Sequence, residues 1–346
     1  MNNIFPWQNE IWKILTKNKS SIGHAILLKG KKGIGKLEFA KSLAKSLLCE
    51  DRLSENQACG SCSGCRWFEQ AGHPDFYLVE PEALSESSGE SKEKPSSAKL
   101  KKKPSKQVSV AQIRALNDVV NMSSHRNGYK IVIINPAEAM NVAAANALLK
   151  NLEEPPPQTL FILVTHRPHH ILPTIHSRCR QIAMPVPDFN LAIDWLEKQD
   201  IEGAEDSLAA VGYAPLAALE YNNGDYRLEH ENFINNISVL NELNPILLAE
   251  ELQKSDLPTT ISWLQKWCYD LMSCRTTGKI RYHLSMQAEI EELVPKIEPL
   301  KLARYLRNLI DMQRLAHHTL NPRLFLEEAF ISYAMLMAPA RSNQRG

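Results

Sequence analysis

The segment from Gly30 to Lys36, G-K-K-G-I-G-K, has the G-x-x-x-x-G-K spacing of a phosphate-binding loop. Glycine at Gly30, Gly33 and Gly35 lets backbone N–H groups turn toward phosphate oxygens, and Lys36 would reach the outer phosphates. The apolar run 24–30 predicts a buried strand before the loop, and apolar side chains at helical spacing follow it. This context favours a phosphate loop over the alternative, a glycine-rich turn without a ligand.

Two positions that would hold Mg²⁺ beside such a loop carry unsuitable side chains. The residue after the lysine should be Ser or Thr, whose hydroxyl binds the metal, and it is Leu37. The predicted strand 131–134 should end in an acidic residue, but it ends in Asn135, followed by Pro136, which cannot act as a base. We interpret Glu138 as a carboxylate in the first turn of a helix. The sequence therefore predicts no hydrolysis at this site and weak or absent ATP binding.

Four of the seven cysteines cluster in one short segment, at Cys49, Cys59, Cys62 and Cys65. Two C-x-x-C steps bring neighbouring thiolates to one metal ion, and the longer spacer lets Cys49 complete a tetrahedron. Zinc is predicted ahead of the alternatives, two disulfides or free thiols, because the expected compartment is reducing. Four protein ligands leave no open position, so this zinc would be structural. The isolated cysteines are predicted to be small buried hydrophobic residues: Cys179, Cys268 and Cys274.

The bulk composition is that of an ordinary globular chain. Its 346 residues predict two or three domains, and 44% hydrophobic with 23% charged residues supply a sizeable core. The formal net charge of +1 opposes binding of duplex DNA through a global positive field. The sequence has no run of about 18–20 apolar residues to span a bilayer, and its first residues lack the pattern of a secretory signal. A cytoplasmic protein without membrane contact is therefore expected.

Hydrophobic periodicity divides the chain into two regions. Up to about residue 187, short apolar strands alternate with helices, which predicts a parallel sheet covered on both faces. Beyond it, the pattern is helical only. Between about 80 and 107, Ser, Glu, Lys and Pro dominate, with three lysines at 101–103, so a disordered insertion is predicted. A solvated linker is the favoured interpretation of this insertion, and a lysine-rich tether that touches nucleic acid is the alternative.

Several motifs follow one another in an order that indicates a family. The phosphate loop and the cysteine segment come first. Five motifs come after them: YKIVIINPAEAM at 129–140, AANALLKNLEEP at 144–155, LVTHRP at 163–168, SRC at 177–179 and NPRLFLE at 321–327. With these motifs the chain resembles the AAA+ clamp-loader subunits of bacterial DNA polymerase III, and among them the delta-prime family, over nearly its whole length.

The resemblance implies three domains and an assembly. The first domain, 1–185, would be an α/β AAA+ domain with a parallel sheet, the phosphate loop and the zinc module 49–65. A small helical lid, 186–229, and an all-helical collar for oligomerisation, 230–340, would follow. The collar would hold the chain in a hetero-pentamer with the gamma or tau motor subunits and the delta subunit. This assembly would load the sliding clamp onto primer–template DNA within a DNA-directed DNA polymerase holoenzyme, a nucleotidyltransferase.

The resemblance also implies roles for particular residues. Members of this family donate the arginine of a Ser-Arg-Cys motif to the ATP of a neighbouring subunit, which gives that role to Arg178, between Ser177 and Cys179. From the residues alone, a surface salt bridge would be preferred for this arginine. Thr165 matches the position that senses the γ-phosphate in active relatives, and the lid segment 212–216 lacks the arginine that contacts nucleotide there. The chain itself would therefore be catalytically inactive.

Two other functions are weighed against this one. A self-sufficient ATPase of the same fold would hydrolyse ATP alone and lose that activity in Lys36→Ala, but Leu37 and Asn135 oppose it. A zinc-dependent nucleic-acid-binding module would use the cysteine segment 49–65 as reader and the lysines of 101–106 as tether. The near-neutral charge of the chain opposes this second alternative.

Overall fold

The structure, a computed structural model, divides the chain into two compact units, residues 1–191 and 192–346. It describes the following residues: 4–17, 22–51, 53, 56–85, 104–121, 128–223, 225–316, 318 and 320–337. The finer division of the helical region into a lid, 186–229, and a collar, 230–340, stays a prediction.

A five-stranded parallel sheet forms the centre of the first unit. Its strands are as follows: β1 (Ala25–Lys29), β2 (Phe76–Val79), β3 (Lys130–Ile134), β4 (Thr159–Thr165) and β5 (Arg180–Ala183). They lie in the order β2-β3-β4-β1-β5, and every neighbouring pair is parallel. The register pairs Lys29 of β1 with Thr165 on one side and with Ala183 on the other. The predicted parallel sheet is confirmed, and β1 lies inside it rather than at an edge.

The strands differ in how strongly the sequence indicates them. All residues of β3 and β4 are buried, as expected of apolar runs covered on both faces. β5, with the sequence R-Q-I-A, was not predicted. Among the described residues it is an edge strand paired with β1 alone, and most of its residues are exposed, so it needs no apolar run.

Helices cover the sheet of the first unit. Their bounds are as follows: α1 (Asn9–Lys17), α2 (Lys36–Leu48), α3 (Ser63–Glu69), α4 (Glu82–Ser85), α5 (Val110–Val120), α6 (Val142–Glu153) and α7 (Pro173–His176); α8 (Phe189–Glu197) crosses the boundary between the units. Ser109 begins α5 with a reciprocal capping box to Gln112, and Asn141 begins α6 by accepting the Ala144 N–H at 2.8 Å. These polar caps fix where the two helices start.

One hydrophobic core joins α5 and α6 to a face of the sheet. Leu27, Val132 and Phe161 of three adjacent strands are fully buried there, together with Leu148 of α6 and Ile113 of α5. Each such side chain contributes about 1.5–3 kcal/mol by leaving water. The core thereby fixes α6 against the strands that lead to the candidate site.

The predicted insertion, 80–107, is too wide at both ends. Glu82–Ser85 forms α4, and the backbone N–H of Ala83 donates to the carbonyl of Ser105 at 3.1 Å. Composition averaged over a long polar window hides such a short helix, since four residues add little to the average. Residues 86–103 of the insertion, including the lysines at 101–103, lie outside the described residues.

All regular secondary structure in the described residues of the second unit is helical. Beyond α8, its helices are as follows: α9 (Ala204–Ala210), α10 (Pro215–Asn222), α11 (Tyr226–Ser238), α12 (Pro245–Leu252), α13 (Leu257–Thr277), α14 (Gln287–Leu293), α15 (Pro299–Leu315) and α16 (Pro322–Met337). The buried Trp267 donates its indole N–H to the Tyr333 hydroxyl at 2.8 Å, and that hydroxyl donates to the Ile237 carbonyl at 3.0 Å. Three helices thus meet in one core, and the predicted helical region is confirmed. Within the described ranges, no helix combines the length and apolar character needed to cross a membrane.

Candidate functional site

The phosphate loop, 30–36, connects the end of β1 to the start of α2, as predicted. Gly33 and Gly35 have φ angles of 79° and 82°, in the left-handed region that favours glycine. Gly35 directly precedes α2, so the loop runs into the positive end of a helix. Glycine therefore stands at both loop positions whose backbone conformation requires it.

Three N-terminal side chains contact this loop, and none of them was predicted from the sequence. The indole N–H of Trp7 donates to the Ile34 carbonyl at 3.0 Å. The buried amide of Gln8 donates to the same carbonyl at 3.0 Å and to that of Gly35 at 2.7 Å. A Cβ atom at Gly35 would lie 2.4 Å from the ring of Phe5. These contacts fix the loop backbone, and no sequence pattern links residues so far apart in the chain.

The loop lysine, Lys36, is buried, with 2% of its surface exposed. Its ammonium group donates to the carbonyl of Lys31 in the same loop. Burial lowers the pKa of Lys36 to about 8, against the opposing effect of the nearby carboxylates of Glu138 and Glu38. The group therefore stays mostly charged at neutral pH and contacts the backbone of its own loop.

The two positions that would hold Mg²⁺ lack oxygen ligands of the usual kind. Leu37 follows the lysine in α2 and offers no hydroxyl. Asn135 follows β3 and donates its amide to the carboxylate of Glu80 at 2.8 Å, before a cis peptide bond to Pro136. Glu80 was not predicted from the sequence. Its position directly after β2 was the available signal, because adjacent parallel strands end at the same edge of a sheet.

Polar groups at the end of β4 bond mainly to nearby backbone. Thr165 is fully buried, and its hydroxyl accepts the Arg167 N–H at 3.2 Å. Glu138 lies in the 3-10 turn Ala137–Ala139, and its Oε1 accepts the His166 N–H at 3.0 Å. Burial, and then the charge of Lys36, lower the pKa of His166 to about 4, so its ring is neutral at pH 7.

Arg178 and the phosphate loop lie at opposite ends of the strands. Arg178 lies at their amino-terminal ends, and the loop follows the carboxyl-terminal end of β1. It precedes β5, and the register pairs Ile26 with Arg180, so Arg178 is level with residue 24 of the parallel strand β1. The phosphate loop begins six residues later, at Gly30, beyond the other end of β1. At roughly 3.3 Å per residue, the two levels are about 20 Å apart along the strands. Arg178 therefore cannot serve a phosphate held in its own loop.

Four cysteine sulfurs meet in the segment between α2 and α3, as the spacing predicts. All four Sγ atoms lie within 4.8 Å of one another. Cys49 Sγ is 3.8 Å from Cys62 Sγ, and Cys59 Sγ is 4.0 Å from Cys65 Sγ. A tetrahedron of thiolates with metal–sulfur bonds of 2.3 Å has sulfur–sulfur edges of about 3.8 Å. The cluster could hold one metal ion, and the thiols are not paired as disulfides.

Backbone hydrogen bonds support the same cluster. The N–H of Cys59 donates to Cys49 Sγ at 3.3 Å, and that of Cys62 donates to Cys59 Sγ at 3.3 Å. The N–H of Cys65 donates to Cys62 Sγ at 3.4 Å. Backbone N–H groups of Ser61 and Cys62 lower the pKa of Cys59 to about 6, whereas burial raises the pKa of the Cys49 and Cys65 thiols. Of the isolated cysteines, two are buried as predicted and Cys274 is only partly buried.

The fold and the sites together define a class of protein. A parallel sheet of order β2-β3-β4-β1-β5, with a phosphate loop after β1 and a helical second unit, is the AAA+ type of phosphate-loop NTPase fold. Two family profiles match the chain. The family described as DNA polymerase III, delta subunit matches residues 7–188, and its C-terminal counterpart matches 226–333.

Curated relatives narrow the class to one family. The DNA polymerase III subunit delta' of Pseudomonas aeruginosa is 32% identical over 98% of this chain and 100% of its own length. That of Escherichia coli K12 is 25% identical over 97% and 96%. The solved structure of a DNA polymerase III gamma subunit-related protein from Thermotoga maritima aligns with a TM-score of 0.43 and 18% identity, over 96% of this chain and 100% of that one. The chain belongs to the DNA polymerase III delta' family, and the resemblance seen in the sequence is confirmed.

Proposed function

We propose that the chain is a non-hydrolysing clamp-loader subunit of DNA polymerase III that donates Arg178 to the ATP of a neighbouring ATPase subunit. The observation that carries this proposal is the position of Arg178, about 20 Å along the strands from the level of the chain's own phosphate loop. At that end of the strands Arg178 is ion-paired with Glu153 but one-third exposed, so it can face the nucleotide of another subunit. Membership of the delta' family supports this assignment.

The chain's own nucleotide site is proposed to be catalytically inactive. Phosphoryl transfer needs Mg²⁺ on the β- and γ-phosphates and a group that orients or deprotonates the attacking water. Leu37 and Asn135 replace the two residues that would hold the metal, and Pro136 offers no base. Bonds of Lys36 and Thr165 to neighbouring backbone add to this argument. ATP binding at this loop is therefore expected to be weak or absent.

In trans, Arg178 would supply charge where the transition state needs it. Negative charge spreads over the transferred phosphoryl oxygens, and a guanidinium placed there accelerates hydrolysis by about 10³–10⁵-fold in comparable NTPases. The planar group can offer two parallel N–H donors to phosphate, which a lysine cannot. Arg178 is accordingly the one residue of this chain proposed to touch a reacting nucleotide.

The proposed assembly contains gamma or tau motor subunits and the delta subunit beside this chain. Through it, the chain would act on the sliding clamp and on primer–template DNA in the cytoplasm. The net charge of +1 fits a subunit that reaches DNA through its partners better than one that binds duplex DNA alone.

The four-cysteine cluster is proposed to bind one structural zinc ion. Its sulfur–sulfur distances of 3.8 and 4.0 Å fit a single tetrahedral ion, and a cluster of thiolates suits zinc among the common metals. When bound, the ion supplies cross-linking of the segment 49–65 and no chemistry, because four protein ligands leave no place for a substrate.

The proposal is tested in an assembly reconstituted from this chain, motor and delta subunits, sliding clamp and primed DNA. Arg178→Ala should sharply lower the clamp-stimulated ATPase, because the site that faces this chain loses its arginine. Arg180→Ala is the matched control, since it removes an exposed arginine two residues away on β5. Equal turnover in the two variants would refute the trans role of Arg178.

A further inference from the structure

A carboxylate from a different helix holds the guanidinium of Arg178. Glu153 Oε1 lies 2.5 Å from Arg178 Nη2. Nη1 donates to the Thr174 carbonyl at 3.0 Å and to the Ser177 hydroxyl at 3.3 Å. Both terminal nitrogens are therefore engaged. Thr174 lies in α7 and Ser177 directly follows it, and both contact Nη1. Nη2 is held by Glu153, the last residue of α6.

Stability of the fold does not account for this ion pair. The side chains of Arg178 and Glu153 are 33% and 48% exposed, and exposed pairs contribute little to stability. Glu153 and its neighbour Glu154 also stand at the C-terminal end of α6, where the helix dipole disfavours a carboxylate. A carboxylate at this place therefore needs a reason other than helix or core stability.

The end of α6 is a rigid base for the Glu153 side chain. Leu152 is buried, and its carbonyl is hydrogen-bonded by His24 Nε2 at 3.0 Å, just before β1. The amide of Asn151 donates to the side chain of Asn117 on α5 at 2.7 Å. Because the two preceding residues are held by His24 at the start of β1 and by α5, the carboxylate of Glu153 starts from a fixed backbone position.

We propose that Glu153 is a positioning residue, which orients Arg178 toward the triphosphate of a nucleotide bound by the neighbouring subunit. This inference rests on the trans role of Arg178 proposed above. A guanidinium held from two helices loses less rotational freedom when it meets phosphate, and it presents its charge at a fixed place. Preorganised charge of this kind stabilises a transition state more than a mobile group does. Glu153 acts only through Arg178.

The test uses the same reconstituted assembly with four forms of the chain: Glu153→Gln, Glu154→Gln, Arg178→Ala and the double variant of Glu153→Gln with Arg178→Ala. Glu153→Gln should lower kcat of the clamp-stimulated ATPase about fivefold, the size of one weakened contact to a charged group, with KM little changed. Glu154→Gln, which removes the adjacent carboxylate of α6, should leave both constants unchanged. In the Arg178→Ala background, Glu153→Gln should have no further effect, because it acts through the arginine.

The outcomes separate the two proposals. If Arg178→Ala lowers turnover but Glu153→Gln behaves like Glu154→Gln, the positioning role is wrong and the trans arginine stands. If Glu153→Gln lowers turnover equally with and without Arg178, its effect is structural and the positioning role is again wrong. If Arg178→Ala changes nothing, both proposals fail together. Melting temperatures of the variant chains should match the parent, as expected for an exposed pair.

Discussion

At the scale of single residues, a buried polar network in the second unit makes its folding stability depend on pH. Asp270 is fully buried and accepts the backbone N–H groups of 281–283 and the ring of His283, the latter at 2.8 Å. The ring of His230 stacks on that of His283 with centroids 5.5 Å apart, and its Nδ1 lies 2.8 Å from the Tyr221 hydroxyl. The carboxylate is well supplied with donors, whereas His230 has a neutral partner. Burial lowers the pKa of His230 to about 3.

This shift predicts that the second unit loses stability in mild acid. The unfolded chain protonates His230 below its ordinary pKa of about 6.5, whereas the folded unit keeps the ring neutral down to about 3. Folding stability is therefore unaffected above pH 6.5 and falls by about 1.4 kcal/mol for each pH unit below it, down to about pH 3. Hydrogen exchange of amides in α11 and α13, compared at pH 7.5 and pH 5.5, measures this loss as a change in opening free energy.

His230→Asn is the matched control for this prediction, because its Oδ1 is as many bonds from the backbone as the Nδ1 that contacts Tyr221. Its amide oxygen can still accept the Tyr221 hydroxyl, but it does not titrate. The variant should lose about 1.4 kcal/mol less than the parent between pH 7.5 and pH 5.5. An identical pH dependence in both proteins would show that another group controls the acid sensitivity.

At the scale of elements, the cysteine cluster connects two helices. Cys49 directly follows α2, and Cys62 caps the start of α3 by accepting the Cys65 N–H. Gly64, between the last two cysteines, fits where a Cβ atom would lie 2.6 Å from the Leu48 carbonyl. The segment is thus closely folded around the sulfur atoms, and a metal ion there would fix the end of one helix against the start of the next.

Removal of the metal should loosen this segment selectively. Cys62→Ser leaves three thiolates. A structural zinc site loses most of its affinity for the ion when one of its four protein ligands is removed. The purified parent should contain about one zinc per chain by elemental analysis, and Cys62→Ser should contain close to none. Cys274→Ser, at a partly buried cysteine of the second unit, should keep its zinc. A parent chain that purifies without metal from zinc-supplied cells, with four reactive thiols, would contradict the zinc assignment.

Elements that the sequence predicts well are those whose pattern is local. β1, β3 and β4 are apolar runs next to turn residues, and α6 stops before the three prolines at 155–157. β5 was missed because an edge strand that pairs with one neighbour carries no apolar run. α4 was missed because four residues inside a polar window leave no periodic signal.

The candidate sites divide in the same way. Spacing alone predicted the four cysteines that meet in space and the glycines of the phosphate loop. The contacts that depend on long-range packing were not predicted: Gln8 with the loop, Glu80 with Asn135, and Glu153 with Arg178. These partners are 25 or more residues apart in the chain. Their contacts follow from the tertiary fold, including the sheet order, which no local pattern specifies.

At the scale of the whole molecule, the two edges of the sheet are proposed to have different roles. The carboxyl-terminal edge bears Lys36 in a loop whose metal-binding positions are lost, and the opposite edge bears Arg178. A self-sufficient ATPase would depend on the first edge and be indifferent to the second. A subunit that assists its neighbour would depend on Arg178 and be indifferent to Lys36. Substitutions at these two residues therefore distinguish the two functions.

Lys36→Ala should therefore leave nucleotide turnover unchanged, whereas Arg178→Ala should lower it. The isolated chain is expected to hydrolyse ATP no faster than a protein-free blank, because Mg²⁺ has no hydroxyl at Leu37 and no carboxylate at Asn135 to hold it. In the reconstituted assembly, the clamp-stimulated ATPase of Lys36→Ala should equal that of the parent.

Because Lys36 is buried, its removal also carries a folding cost, so Lys36→Met, which keeps the apolar stem, checks that any loss comes from chemistry rather than from packing. Hydrolysis by the isolated chain that disappears in both lysine variants would overturn the non-hydrolysing assignment and establish a self-sufficient ATPase in its place.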